Sequence, residues 1–206
     1  MRICLAVLMA LLALPASAAS MSERLLDIQH RWAEIQYRLD EDKRLEAFEE
    51  LAAETKTFVA DYPDRAEPLI WRGIVLSTRA GAEGGFSALS LVGTAREALE
   101  KALEIDPEAL AGSAHTSLGS LYYQVPSWPL SFGDDEQARK HLRKALAINP
   151  DGIDPNYFFG DFLVEQGEEK RARTYLERAL NAPERPDRPV ADKGRRQEIR
   201  ALLETL

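Results

Sequence analysis

"EQARKHLRKALAINP" (136–150) and "EKRARTYLERALNAP" (169–183) are one pattern written twice. Each sets alanine, leucine and alanine at i, i+4 and i+7: Ala138, Leu142 and Ala145, then Ala172, Leu176 and Ala179. A third copy, "TAREALEKALEIDP" (94–107), supplies Ala95, Leu99 and Ala102. That spacing is one stripe of an α-helix. Pro107, Pro150 and Pro183 follow, and none can continue a helix.

A glycine stands upstream of each stripe, at Gly73, Gly119 and Gly160. Two helices approach closely only where no bulky side chain intervenes. The pattern therefore predicts helix pairs: a glycine on helix A, a small residue (Ala102, Ala145, Ala179) on helix B, and Leu99, Leu142 or Leu176 filling the gap. Repeats of this length stack into a solenoid, because one pair alone cannot bury its apolar face. Asp106 with Pro107, and Asp154 with Pro155, read as N-caps of the next helices, each worth roughly 1 kcal/mol.

The fold expected is all-α: a right-handed α-solenoid in one domain over 20–206. It comprises a degenerate pair at 21–63, repeats at 64–107, 108–150 and 151–183, and a capping helix at 190–206. In the usual unit about twelve residues separate the helix-A glycine from the first helix-B alanine. Gly160 to Ala172 obeys this. Gly73 to Ala95 and Gly119 to Ala138 are longer, so two units carry inter-helix insertions. The first insertion reads as a longer helix, capped by Ser87, with Phe86 and Val92 needing cover. The second is "VPSWPLSFG" (125–133), where Pro126 and Pro129 end helix A near Gln124 and stiffen an extended loop. Asp134 then caps helix B.

Nine of the sixteen aromatic residues fall between Tyr122 and Tyr175. The loop should fold against the overhanging helix. The candidate apolar wall is Tyr122, Tyr123, Trp128, Leu130, Phe132, Phe86, Tyr157 and Phe158. Core packing is the competing reading, with the loop as a plug.

These motifs resemble the tetratricopeptide repeat across about Pro68–Pro183. The run "YYQVPSWPLSFGDDEQARKHLRKALAINP", with "NYFFGDFLVEQGEEKRARTYLERAL" after it, is similar to the T component of tripartite (TRAP-type) transporters. It also looks like the repeat domain of the regulator of microtubule dynamics family. The transporter likeness implies a periplasmic adaptor that contacts a substrate-binding protein and holds an apolar small molecule.

The first residues, "MRICLAVLMALLALPASAAS", read as a signal peptide over 1–19. Ile3–Leu14 is an apolar run too short to cross a bilayer, and Ala16-Ser17-Ala18 is a cleavage site. Cys4, the only cysteine, lies inside this leader, so lipid attachment, disulfides and thiolate chemistry are not expected. The mature chain is expected to be periplasmic or otherwise exported, without a transmembrane segment.

The formal charge is −8. No basic block appears, which argues against nucleic acid. Arg185–Arg200 interleaves basic residues with Glu184, Asp187, Asp192 and Glu198 and reads as a solvated helix face. His30, His115 and His141 show no ligand spacing, and Ser113, Ser117 and Ser120 no nucleophile elbow. No catalytic, metal or cofactor site is expected. The task implied is non-catalytic binding of a protein partner, or alternatively of an apolar ligand under the proline-aromatic loop.

Overall fold

The computed structural model describes residues 20–206. The leader reading for 1–19, Cys4 included, lies outside the described residues. Four helix pairs follow one another: α1 (Met21–Arg38) with α2 (Glu41–Asp61), α3 (Ala66–Glu83) with α4 (Gly85–Ile105), α5 (Ala109–Gln124) with α6 (Asp135–Ile148), and α7 (Ile153–Glu165) with α8 (Glu169–Leu180). A ninth helix, α9 (Pro189–Glu204), closes the chain. The described residues form an all-α, tetratricopeptide-like solenoid.

The repeat works as its small residues require. Leu99, Leu142 and Leu176 are all fully buried. Each presses on the glycine of its own pair. A Cβ on Gly73 would lie 2.5 Å from Leu99 Cγ, one on Gly119 2.5 Å from Leu142 Cγ, and one on Gly160 2.8 Å from Leu176. Ala102, Ala145 and Ala179 have no exposed surface, as the close-contact positions demand.

The helix starts differ from those expected. Asp106 accepts from the Glu108 amide at 2.9 Å and builds a turn, and α5 begins only at Ala109. Gly152, not Asp154, precedes α7, leaving the Asp154 carboxylate free to reach arginines elsewhere. Gly84 precedes α4, and Ser87 lies inside the helix with its hydroxyl on the Gly84 carbonyl. In all three cases the turn geometry set the boundary one to three residues from the polar residue.

The odd-numbered helices stack in order, α1 on α3, α3 on α5, α5 on α7 and α7 on α9. They form the inner layer, and α2, α4, α6 and α8 the outer one. The curl brings α9 back onto α1. A Cβ on Gly194 of α9 would meet the Tyr37 ring of α1 at 2.3 Å, and His30 Nε2 of α1 donates to the Asp187 carbonyl at 2.6 Å. The last helix, expected as a cap, is thus packed between α7, α8 and α1.

Candidate functional site

The proline loop is a compact turn against α4, as anticipated. The Gly133 amide donates to the Pro126 carbonyl (3.0 Å) and the Asp134 amide to the Tyr122 carbonyl (2.8 Å). Any Cβ at Gly133 would lie 2.2 Å from the Val125 oxygen. Asp134 caps α6, accepting from the amides of Glu136 (2.9 Å) and Gln137 (3.0 Å). Phe132 packs edge-on to Tyr122 at 5.6 Å, beneath the Arg96 guanidinium of α4 at 4.4 Å.

The eight residues of the expected wall do not form one surface. Phe86, Trp128 and Leu130 are 81%, 86% and 59% exposed. Tyr122 stacks on His141 between α5 and α6. Tyr123 turns into the core against Phe162, and its hydroxyl donates to Asp161 at 2.6 Å. Burial, then the Asp161 charge, pushes the Tyr123 pKa well up. Tyr157 and Phe158 face a different space.

That space is a cavity of about 680 Å³ on the inner face of the solenoid. Its walls come from every helix of the inner layer: Trp32 and Tyr37 of α1, Trp71 and Thr78 of α3, Thr116 and Ser117 of α5, Tyr157 and Phe158 of α7, Arg195 and Glu198 of α9. None of Phe86, Trp128, Leu130 and Phe132 lines it. Trp32 meets Tyr37 (5.7 Å) and Trp71 (6.0 Å) edge-on, and its indole N–H donates to Thr78 Oγ1 at 3.0 Å.

Charge gathers where α7 and α9 reach the cavity. Asp154 pairs with Arg185 (2.7 Å) and Arg195 (3.1 Å), Glu198 with Arg195 (2.6 Å), and Asp192 with Arg185 (2.6 Å) and Arg196 (3.6 Å). The Arg195 guanidinium lies 4.3 Å from the Tyr157 ring centroid and 4.7 Å from that of Phe158. Burial raises the Asp154 pKa, but Arg185 and Arg195 outweigh it and hold this carboxyl well below the carboxylate range. Burial pushes the Tyr157 hydroxyl up to about 12, against the pull of Arg195. Burial likewise raises Tyr37 and Glu198. Asp192 and Arg195 are buried, so the expected solvated face of 185–200 is in fact an ion-pair network. An alternating charge pattern looks the same in sequence whether solvent or a partner helix supplies the counter-charge.

A strained turn borders the cavity. Leu110, Ala111 and Gly112 have φ of 49°, 54° and 76°. Glycine visits this region freely, whereas the other two pay in backbone strain. Both Leu110 and Ala111 line the cavity. No sequence signal marks them.

Residues 130–191, from the proline loop to the start of α9, match the family model described as tetratricopeptide repeat. No curated protein matches the chain. The match covers one of the three repeats read from the Gly, Leu and Ala spacing and parts of its neighbours, and with the four helix pairs and closing helix of the described residues it supports a tetratricopeptide repeat protein.

Proposed function

We propose that the chain is a non-catalytic, exported scaffold or adaptor that binds a segment of a protein partner along the inner face of its helices. One observation carries this reading. Each inner helix contributes side chains to a single hollow of about 680 Å³, with aromatic, hydroxyl and charged groups side by side. Such a mixture offers both apolar pockets and orienting hydrogen bonds. Tetratricopeptide folds are typically scaffolds, which agrees with it. Export follows from the apolar run, Pro15 and the small residues at 16–18.

The transporter-accessory reading, with an apolar ligand under the proline-aromatic loop, has less support, because Trp128 and Leu130 point to solvent. A peptide-display selection on the purified protein tests the scaffold reading. Ser117→Trp fills the hollow, so selected peptides should lose binding to that variant. Peptides that bind Ser117→Trp as tightly as the parent overturn it. N-terminal sequencing of exported material tests the leader: a start at Ala19 or Ser20 is expected, and a retained Met1 refutes export.

A further inference from the structure

One guanidinium at the inner cavity has no carboxylate partner among the described residues. Arg185, Arg188 and Arg195 line the cavity beside Asp151, Asp154, Glu184 and Glu198; Arg185 pairs with Asp154 and with Asp192 behind the wall, and Arg195 with Asp154 and Glu198. Arg188 is the group left over. Among the described residues it has no ion-pair partner, and its buried Nε has no hydrogen-bond partner. Its guanidinium lies 5.0 Å from the Trp71 ring centroid, and both residues line the cavity. The carboxylates of Asp154, Asp192 and Glu198 are already held by Arg185, Arg195 and Arg196. A partly buried guanidinium without an anion is costly unless something supplies one. Burial and the neighbouring Arg185 push the Arg188 pKa down, yet an arginine stays cationic.

A second observation concerns the hydroxyls on the cavity wall. Ser77 donates to the Gly73 carbonyl (2.7 Å), Thr78 to Ile74 (2.9 Å), Ser113 to Leu110 (2.7 Å) and Thr116 to Gly112 (3.4 Å). Their protons are spent on their own helices. What they offer to the cavity is lone pairs, which accept hydrogen bonds from a ligand's hydroxyl or amino groups, although one of those on Thr78 is already taken by the Trp32 indole.

We infer that the inner cavity binds a small organic carboxylate whose body carries hydroxyl or amino donors, with the carboxylate on Arg188. This rests on the inner face being the binding face, as proposed above, and adds a small-molecule ligand to it. The planar guanidinium takes the carboxylate through two parallel N–H donors, which a lysine cannot do. The Ser and Thr oxygens accept from the body, and Tyr157 and Phe158 bound its apolar side. The volume lies within the range of small-molecule sites.

Three probes on one skeleton separate the contributions: indole-3-lactate, indole-3-lactamide without the charge, and indole-3-propionate without the hydroxyl. Calorimetric titration of the purified protein is expected to rank the lactate first. Losing a charge-assisted hydrogen bond should weaken the amide roughly ten- to a hundred-fold. Arg188→Gln should abolish the preference of acid over amide, and Arg188→Lys should keep part of it. Equal binding of acid and amide to the parent protein overturns the inference without recourse to any variant. So does an acid preference that survives Arg188→Gln in a variant with parental circular dichroism. Failure of all three probes while display-selected peptides still bind sinks the carboxylate site and leaves the scaffold reading standing. Failure of probes and peptides together sinks both.

Discussion

Gly119→Ala should lower stability although alanine is the better helix former. The structure gives the size. The new Cβ would lie 2.5 Å from Leu142 Cγ, 2.8 Å from its Cδ2 and 3.2 Å from its backbone nitrogen. Ordinary carbon–carbon contact is about 3.5–4.0 Å. Leu142 must therefore withdraw by roughly 1 Å, yet it is completely buried. The backbone nitrogen belongs to α6 and moves only with the helix. Overpacking of this kind costs about 1–3 kcal/mol. Replacing a mid-helix glycine by alanine returns about 1 kcal/mol. The net expectation is a loss of up to about 2 kcal/mol, with a fall in melting temperature of up to about 4–8 °C. Gly93 of α4 supplies the control, since a Cβ there meets nothing within 4 Å. Gly93→Ala should show the helix-propensity gain alone and melt about 2–4 °C higher. Urea unfolding of both variants beside the parent reads the difference. If Gly119→Ala is stabilised as much as Gly93→Ala, the close-contact account of the repeat is wrong.

The remaining predictions concern other parts of the molecule. His115 and His141 share an Nδ1 to Nδ1 hydrogen bond of 2.9 Å, which survives one protonation but not two. Burial, then His115 and Lys140, lowers the His141 pKa from 6.5 to about 4. Burial and Lys144 lower that of His115. Between those values the unfolded chain binds protons that the folded pair refuses. The full shift corresponds to roughly 3 kcal/mol; with solvent screening of a half-exposed pair, stability should fall by about 2 kcal/mol as pH drops from 6.5 towards 4, then level off as far as this pair is concerned. His141→Gln should flatten that step, and an unchanged pH profile of urea midpoints would refute the assignment. Trp128→Ser should change stability by less than about 0.5 kcal/mol, because the side chain is exposed. Phe132→Ser should cost more, through its packing on Tyr122 and Arg96, and the reverse order in urea midpoints would refute this account of the loop. Gly194→Ala should push α9 from Tyr37. Hydrogen exchange should then rise in α1 and α9 while α5 and α6 stay protected, and uniform protection would refute the seam.

The helix pairs were legible because their cause is local and periodic. Gly119, Leu142 and Ala145 lie at spacings that only a helical stripe explains, and they meet as that stripe requires. Gln124 and Asp134 were readable as helix ends because proline and an acidic cap act within a few residues of themselves. Asp154 shows the limit of such reading. An acid before a proline is a good cap in isolation, but two arginines from beyond α8 compete for it and win. The aromatic cluster failed as a wall for a related reason. Sequence gives the spacing of Tyr122, Tyr123, Tyr157 and Phe158 along their helices but not which face of the solenoid each meets. Tyr157 and Phe158 face the inner cavity, while Tyr123 turns into the core.

The return of α9 onto α1 had no local signal at all, and it has the largest consequence. Tyr37, Asp154, Arg195 and Glu198 come from three helices that meet only when the curl is complete. The Tyr37 hydroxyl donates to Glu198 at 3.3 Å, and Glu198 holds Arg195. A network assembled across the seam registers closure: Arg195 is the one ion-pair partner of Glu198 among the described residues and also holds Asp154, so its loss leaves Glu198 unpaired against Tyr37. Arg188 sits at the start of α9, on the same seam, with Trp71 of α3 under it. An anion at Arg188 contacts groups brought together by the closed form and not by an opened one. An acid bound at Arg188 as inferred above, and without affinity for an opened form, is expected to stabilise the packing of α9 by about 2.7 kcal/mol at a hundred times its dissociation constant. The same linkage runs in reverse: a partner segment that needs the ring open competes with the acid without touching Arg188.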